Sequence, residues 1–343
     1  MQRTTIYTTL FLALLPLFFV TDLILGNVHI PLQVFADILA GKQIDGIWHN
    51  IIFELRFPRA IVALITGMAL PISGLLMQTL FRNPLADPYV LGVSTGASLG
   101  VALFSLCGGF TSVAILNGLD FSNSWGLVLA ALAGSSIVML IIVSIAPKVY
   151  DTASLLIIGI MIGSITTAIV SVLQYFANPE EVHAFILWTF GSFSNIGWHE
   201  LQIITVCIIP TLVLALSIQK PLNALLLGEN YARGLGVRIK RLRLLVIFCA
   251  SILASIITAF TGPIGFVGMT VPHMARFILK TTNHKTLIIH SALIGANLML
   301  LCDVISQLPG YQTTLPINTV TAIFGAPVVI FVIFRGRKTR MQL

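Results

Sequence analysis

The chain has 343 residues, of which 57% are hydrophobic and only 9% are charged. A soluble protein of this size needs far more charged surface, so the composition excludes a soluble enzyme or scaffold. The formal charge of +7 would by itself suggest nucleic acid as a partner. The basic residues are instead spread over connections between apolar runs, where anionic lipid headgroups lie. We therefore expect an integral membrane protein that binds no nucleic acid.

Apolar runs of about 20 residues recur along the chain, which is the length that an α-helix needs to cross roughly 30 Å of hydrocarbon. A run such as 154–176 contains no charge, whereas a central Lys, Arg or Asp would oppose insertion by roughly 2.5–3.5 kcal/mol. The first run is followed by no small-residue cleavage site, so we interpret it as an uncleaved helix. The pattern predicts an all-α membrane protein, a polytopic bundle of about ten transmembrane helices, with spans at 5–25, 58–80, 89–107, 125–146, 153–176, 200–218, 242–261, 264–280, 286–304 and 317–334.

The basic residues predict how these spans are oriented. If the N-terminus is cytoplasmic, only Lys42, Arg56 and Arg59 among the 19 Lys and Arg residues lie outside. Cytoplasmic connections of membrane proteins are enriched in Lys and Arg. We therefore expect both termini in the cytoplasm.

Few ionisable residues lie deep within the predicted spans. An ion-coupled carrier usually needs Asp, Glu or His near the membrane midplane. The nearest candidates, Asp22, Asp303 and His290, lie close to span ends, where we expect interfacial residues. An ion-coupled secondary transporter is therefore the weaker alternative.

Small residues four positions apart allow helices in lipid to approach closely. Gly92, Gly96 and Gly100 have this spacing in the third span, and Gly159 and Gly163 have it in the fifth. We expect these faces to pack inside the bundle, with a dimer seam as the alternative. The cysteines have no metal-type spacing and are likewise expected to be small packing residues: Cys107, Cys207, Cys249 and Cys302.

Glycine and proline interrupt the chain between the seventh and eighth spans, at 262–272. Irregular backbone at membrane depth is tolerated only inside protein or beside a water-filled cavity. We therefore place 261–269 inside the bundle, near the pathway or a dimer contact.

Two connections differ from the rest. Residues 219–241 contain a predicted short helix at 223–232 and enter the basic run 238–243. This segment suits either a cytoplasmic protein partner or a solvated position at the headgroups. The exterior connection 27–59 ends in Arg56 and Arg59, a pair expected to be exposed, where it could bind carboxylates or anchor the chain at the interface.

No G-x-x-x-x-G-K-[ST] loop occurs, so any ATP that drives transport is bound by another subunit. The patterns of serine hydrolases and zinc proteases are absent as well, and the seven histidines are scattered. We expect no enzymatic activity, no metal site and no cofactor in this chain.

Four stretches carry a resemblance to a known family. They are L-R-F-P-R at 55–59 with N-P-L-A-D-P at 83–88 and L-G-V-S at 91–94; Gly228 and Ala232 with L-G-V at 235–237; G-P-I-G-F-V-G at 262–268 with V-P-H at 271–273; and L-P at 315–316 with G-A-P at 325–327. In these the sequence resembles the FecCD-type permeases, membrane subunits of type II ABC importers for iron-siderophores, haem and cobalamin.

The resemblance implies one permease domain over 1–343 in the cytoplasmic membrane, paired with an identical or paralogous permease. Two cytoplasmic ATP-binding subunits, which bind ATP and Mg²⁺, and an extracytoplasmic substrate-binding protein would complete the importer. The expected ligand is a ferric siderophore, with haem and cobalamin as alternatives.

The resemblance also implies roles for individual residues. Arg56 and Arg59 would receive glutamates of the binding protein, although a basic residue known in the last exterior loop of some relatives is missing at 307–314. The fifth span would line the pathway through Thr166, Thr167, Ser171 and Gln174. Residues 219–241, which we call the coupling segment, would couple the permease to the ATPase through Leu225, Gly228, Glu229, Ala232, Arg233, Gly234 and Gly236.

Overall fold

The computed structural model describes residues 2–26, 28, 30–39, 46–106, 123–149, 152–308 and 314–340. Lys42, Cys107 and residues 309–313 of the last predicted exterior loop lie outside these ranges. The described residues form helices and their connections, with no strand among them. The helices are α1 (Gln2–Ile24), α2 (Leu32–Leu39), α3 (Gly46–His49), a π-helical segment (Asn50–Arg56), α4 (Phe57–Phe81), a 3-10 segment (Pro88–Leu91), α5 (Val93–Leu106), α6 (Asn123–Ile145), α7 (Thr152–Phe176), α8 (Pro179–Thr189), α9 (Trp198–Ser217), α10 (Gln219–Leu226), α11 (Glu229–Gly234), α12 (Ile239–Thr261), α13 (Val267–Leu279), α14 (His284–Ser306) and α15 (Ile317–Arg340).

Each predicted span coincides with a helix, but the helices differ in length. The helix at the predicted span 264–280 has 13 residues, or about 20 Å at 1.5 Å per residue. The helix begins three residues after the predicted start of that span, because the break before Val267 delays it. Val93–Leu106 and Ile317–Phe331 are shorter apolar helices. Seven stretches are long and apolar enough to cross a membrane: Thr4–Ile24, Gly46–Phe81, Trp125–Ile145, Ala153–Phe176, Trp198–Ser217, Ile239–Thr261 and His284–Ser306.

The chain divides into two compact units, each built from separated stretches. The first comprises Met1–Pro71, Ser192–Val206 and Ile264–Leu343, and in it α14 packs against α1, α13 and α15. Helices α4 and α14 approach closely where Gly67 faces Gly295, since a Cβ on either would collide with the carbonyl of the other.

The second unit comprises Ile72–Gly191 and Cys207–Pro263. In it α5 packs against α6, α7, α8 and α12. A Cβ on Gly96 would lie 2.8 Å from the carbonyl oxygen of Gly134, and one on Gly100 would collide with the carbonyl of Ala130. The glycine face of the third span therefore packs on α6 of the same chain, as expected.

Gly92 connects the 3-10 segment to α5 with a φ of 81°, a left-handed conformation that favours glycine. A Cβ on Gly92 would lie 3.5 Å from both the carbonyl oxygen of Gly159 and the amide nitrogen of Gly163. The glycine pair of the fifth span thus also packs within the chain. Among the predicted packing cysteines, Cys249 and Cys302 are buried and Cys207 is half-buried.

The predicted break between the seventh and eighth spans is confirmed. Helix α12 ends at Thr261, Gly262 has a φ of 73° and Phe266 has a φ of 68°. The amide of Gly265 donates to the side-chain oxygen of Asn318 at 2.9 Å, which satisfies a backbone donor that the break frees. Most of the break is buried or half-buried. Its place near a pathway or dimer contact stays a prediction.

Candidate functional site

Three regions hold the predicted functional residues. The first is the pair Arg56 and Arg59 with the groups around them, the second is the coupling segment, and the third is α7. We call the first region, formed by Asp22, Arg56, Arg59, Asp303 and Gln307, the arginine cluster.

The π-helical segment positions the two arginines. It continues directly into α4, so that Arg56 ends the π-helical turns and Arg59 lies in the first turn of α4. The indole Nε1 of Trp198 donates to the carbonyl oxygen of Phe53 at 2.9 Å, which fixes the middle of the segment. Such π-helical turns are rare and are found frequently at functional sites.

Arg56 is buried, with 7% of its surface exposed. Its Nη1 donates to the carbonyl oxygens of Leu23 and Ile24 at 2.7 and 2.8 Å, and its Nη2 donates to that of Val28. The carbonyls at the end of α1 have no helical partners, and a cation at this end also suits the helix dipole. The expectation that Arg56 is exposed is wrong, because its guanidinium caps α1.

Arg59 forms a bidentate ion pair with Asp303 of α14. Its Nε lies 2.8 Å from Oδ2 and its Nη2 lies 2.7 Å from Oδ1. Its Nη1 donates to Oγ of Ser194 at 2.7 Å. The side chain of Arg59 is 13% exposed and that of Asp303 is fully buried. Arg59 is therefore mainly the counter-charge of Asp303, and the expected exposed pair is not found.

Gln307 joins the two carboxylates of the cluster. Its Nε2 donates to Oδ1 of Asp22 at 2.9 Å and to Oδ2 of Asp303 at 3.1 Å. Asp22, Asp303 and His290 lie near helix ends, as predicted, but they are buried rather than interfacial. Arg59 thus pairs with Asp303 and Gln307 donates to both acids, which favours a structural role over ion binding.

The coupling segment folds into α10 and α11, which meet at Gly228 with a φ of 116°. Glu229 begins α11 and lies 3.5 Å from Arg233 and 3.6 Å from Arg243 of α12. Arg243 is buried and donates to the carbonyl oxygen of Val149 at 2.7 Å. Glu229 and Arg243 therefore fasten α11 to the start of α12.

The other predicted coupling residues shape the segment. Leu225 and Ala232 are buried, and the carbonyl oxygen of Leu225 accepts a hydrogen bond from Arg82 at 3.1 Å. Gly236 has a φ of 83° and turns the chain after α11. A Cβ on Gly234 would meet nothing within 4 Å.

The coupling segment also exposes large apolar side chains. Leu227, Tyr231 and Leu235 follow one another at four-residue intervals and are 67%, 55% and 60% exposed. Apolar residues grouped on an exposed surface mark interaction sites. Leu227 and Tyr231 were not singled out from the sequence, where the available signal was apolar residues within a polar connection.

Helix α7 carries the predicted pathway residues. Thr167 and Ser171 are exposed, Gln174 is half-buried and Thr166 is buried. Ser164, which was not predicted, is exposed as well, and Ser164, Thr167 and Ser171 share one helix face by their spacing. Their hydroxyls donate to carbonyls four residues earlier. The face is therefore a mildly polar, uncharged stripe, and Thr166 belongs to the packing of the helix.

No cluster of three His, Cys, Asp or Glu side chains that could hold a metal ion occurs in the described parts of the chain.

Sequence comparison relates the chain to known permeases. The model of the FecCD transport family matches residues 14–335. The vitamin B12 import system permease protein BtuC of Escherichia coli O6:H1 (strain CFT073) is 33% identical over 317 residues, which cover 90% of this chain and 94% of that protein. The protein of the same description from Salmonella typhi is 34% identical over 314 residues, which cover 90% and 93%.

Structure comparison agrees. A metal-chelate type ABC transporter solved in an inward-facing conformation matches with a TM-score of 0.82 and 30% identity, over 96% of this chain and 99% of that one. PsaBC from Streptococcus pneumoniae, solved with a Fab, matches with a TM-score of 0.51 and 17% identity, over 87% and 95%, which shows the fold alone. The chain belongs to the FecCD transport family and is a multi-pass membrane permease subunit of an ABC importer, not an enzyme.

Proposed function

We propose that this chain is one half of a permease pair that carries a large metal chelate across the cytoplasmic membrane by alternating access. The observation that carries the proposal is the family match over residues 14–335. Ten crossings with both termini in the cytoplasm would accompany it, as the distribution of Lys and Arg favours. Two ATP-binding subunits bind ATP and Mg²⁺, and their closure moves the two permeases between outward-open and inward-open states.

The coupling segment is the proposed contact with the ATP-binding subunits. Its exposed Leu227, Tyr231 and Leu235 offer an apolar face of the kind that protein interfaces bury at their centre. The ion pair of Glu229 with Arg243 holds α11 against α12, so a movement of the ATPase would pass to a crossing helix.

The proposed ligand is a ferric siderophore, with haem and cobalamin as alternatives. Cobalamin has the support of relatives at 33% and 34% identity, which are vitamin B12 import permeases. The hydroxyl stripe of Ser164, Thr167 and Ser171 suits weak contacts with such large ligands. A substrate-binding protein would deliver the ligand and meet the exposed edge of Arg59.

ATPase activity in lipid vesicles tests the function. The chain would be co-purified with candidate ATP-binding subunits, as a homodimer and with a paralogous permease. A substrate-binding protein would be added unloaded or loaded with ferric siderophore, haem or cobalamin. We expect the matching loaded protein to stimulate hydrolysis above the unloaded control. If no ATP-binding subunit co-purifies with either pair, the stand-alone secondary transporter becomes the better explanation.

A further inference from the structure

A basic pocket opens between the coupling segment and the α6–α7 connection. Its volume is about 640 Å³. Six basic side chains line it: Lys148, Arg233, Arg238, Lys240, Arg241 and Arg243. The backbone amides at the start of α12, which also borders the pocket, add to the positive potential. The pocket is therefore suited to an anion.

The charges of the pocket are poorly balanced by the protein itself. Among the described residues Glu229 is its lone acid, and it pairs with Arg233 and Arg243. The other four cations form no ion pair within the described part of the chain. Asp151, two positions after Val149 in the sequence, lies outside the described residues.

The pocket is apolar as well as basic. Pro147, Val149, Val237 and Leu244 contribute to its wall beside the cations. It also lies where α6 ends and α12 begins, two helices that are long and apolar enough to cross a membrane. A free phosphate would contact only the cations, whereas a phosphate carried by a lipid would contact both the cations and the apolar residues of the wall. Basic pockets between crossing helices on the cytoplasmic side bind lipid headgroups.

We propose that this pocket binds the phosphodiester headgroup of an anionic phospholipid. The headgroup lies among Lys148, Arg238 and Arg241, and the acyl chains leave along the crossing helices. The bound lipid thus joins the coupling segment to the α6–α7 connection. The lipid site borders the proposed contact with the ATP-binding subunits, because Arg233, Arg238 and Arg241 belong to the coupling segment.

Native mass spectrometry of the full chain in detergent, titrated with phosphatidylglycerol or with phosphatidylcholine, tests the site. We expect preferential retention of one phosphatidylglycerol. The double variant Lys148→Gln with Arg241→Gln should weaken that binding roughly thirtyfold, or roughly fivefold for each cation. A matched control, Lys280→Gln with Lys285→Gln, removes two exposed cations outside the pocket and should change the affinity less than about twofold.

Three results would overturn the proposal. They are equal retention of the two lipids, equal losses in the two double variants, and displacement of phosphatidylglycerol by an equal concentration of inorganic phosphate. The changed side chains are exposed, so both variants should keep the helical circular dichroism of the parent. Because no ATP-binding subunit is present, these results stand apart from the test of transport.

Discussion

The arginine cluster and the coupling segment are both rich in charge, but only around the coupling segment do several cations lack an ion pair among the described residues. In the cluster, Arg56 caps α1 and Arg59 pairs with the buried Asp303. Around the coupling segment, Lys148, Arg238 and Arg241 form no ion pair among the described residues, and Leu227 and Tyr231 are exposed. Charges that the chain pairs internally hold the fold, whereas the cations without an ion pair are the ones that we propose contact a lipid.

The largest expected effect comes from Arg59→Gln. This change leaves Asp303 buried without its counter-charge, so the free energy of unfolding should fall by about 3–5 kcal/mol. Denaturant or thermal unfolding of the purified chain in detergent measures it. The double variant Arg59→Gln with Asp303→Asn should recover most of the loss, because neither charge is then buried alone. Equal losses in the two variants would show that the pairing is unimportant.

Gly228→Ala should disturb the coupling segment next most strongly. At a φ of 116° and a ψ of 150°, any residue other than glycine is strained by about 1–3 kcal/mol. Hydrogen exchange of the α11 amides should become faster, and less ATP-binding subunit should co-purify. Gly234→Ala is the matched control, because Gly234 lies in α11 with open space around it. Identical behaviour of the two variants would contradict this account of Gly228.

Tyr231→Ala tests whether the exposed apolar residues of the coupling segment form an interface. Tyr231 is 55% exposed, so its loss should leave stability unchanged. The affinity for the ATP-binding subunit should fall by about 1–2 kcal/mol, the cost of removing an interface tyrosine. Binding measurements on the purified subunits would show it. Tyr175→Ala, which removes an 83% exposed tyrosine from α7, should leave this affinity unchanged, and a similar loss in both would count against the interface.

Arg233→Gln should have the smallest effect. Its ion pair with Glu229 spans 3.5 Å, and the Arg233 side chain is 62% exposed. Exposed pairs of this kind contribute at most about 0.5 kcal/mol. The unfolding measurement used for Arg59→Gln applies here too. A loss of unfolding free energy as large as that of Arg59→Gln would contradict the distinction between the buried ion pair and the exposed one.

Local sequence patterns predicted the helices well. The apolar runs identified the seven stretches of the described residues that are long and apolar enough to cross a membrane, and Gly262 with Pro263 located the break before α13. The short helix expected at 223–232 is two helices, because Gly228 adopts a conformation that ends one and begins the next. Patterns confined to about 20 residues are enough to predict where helices and the breaks between them lie.

Local patterns could not predict the burial of the two arginines. Asp303 lies 244 residues after Arg59, and nothing in the sequence around either residue indicates the other. Similarly, Arg243 looked like one member of a basic run, yet it is buried against Glu229 and Val149. Exposed apolar residues such as Leu227 and Tyr231 are of the same types as core residues, so only the fold distinguishes the two groups.

The hydrogen bond from Gln307 to Asp22 also has a consequence for synthesis of the protein. The two residues are 285 positions apart, and ribosomes add roughly 5–20 residues per second. Roughly 15–60 s therefore pass between the synthesis of Asp22 and the synthesis of Gln307. During that interval the first helix carries a carboxylate whose final partner does not yet exist. A chain truncated before α14 would keep Asp22 without this partner permanently.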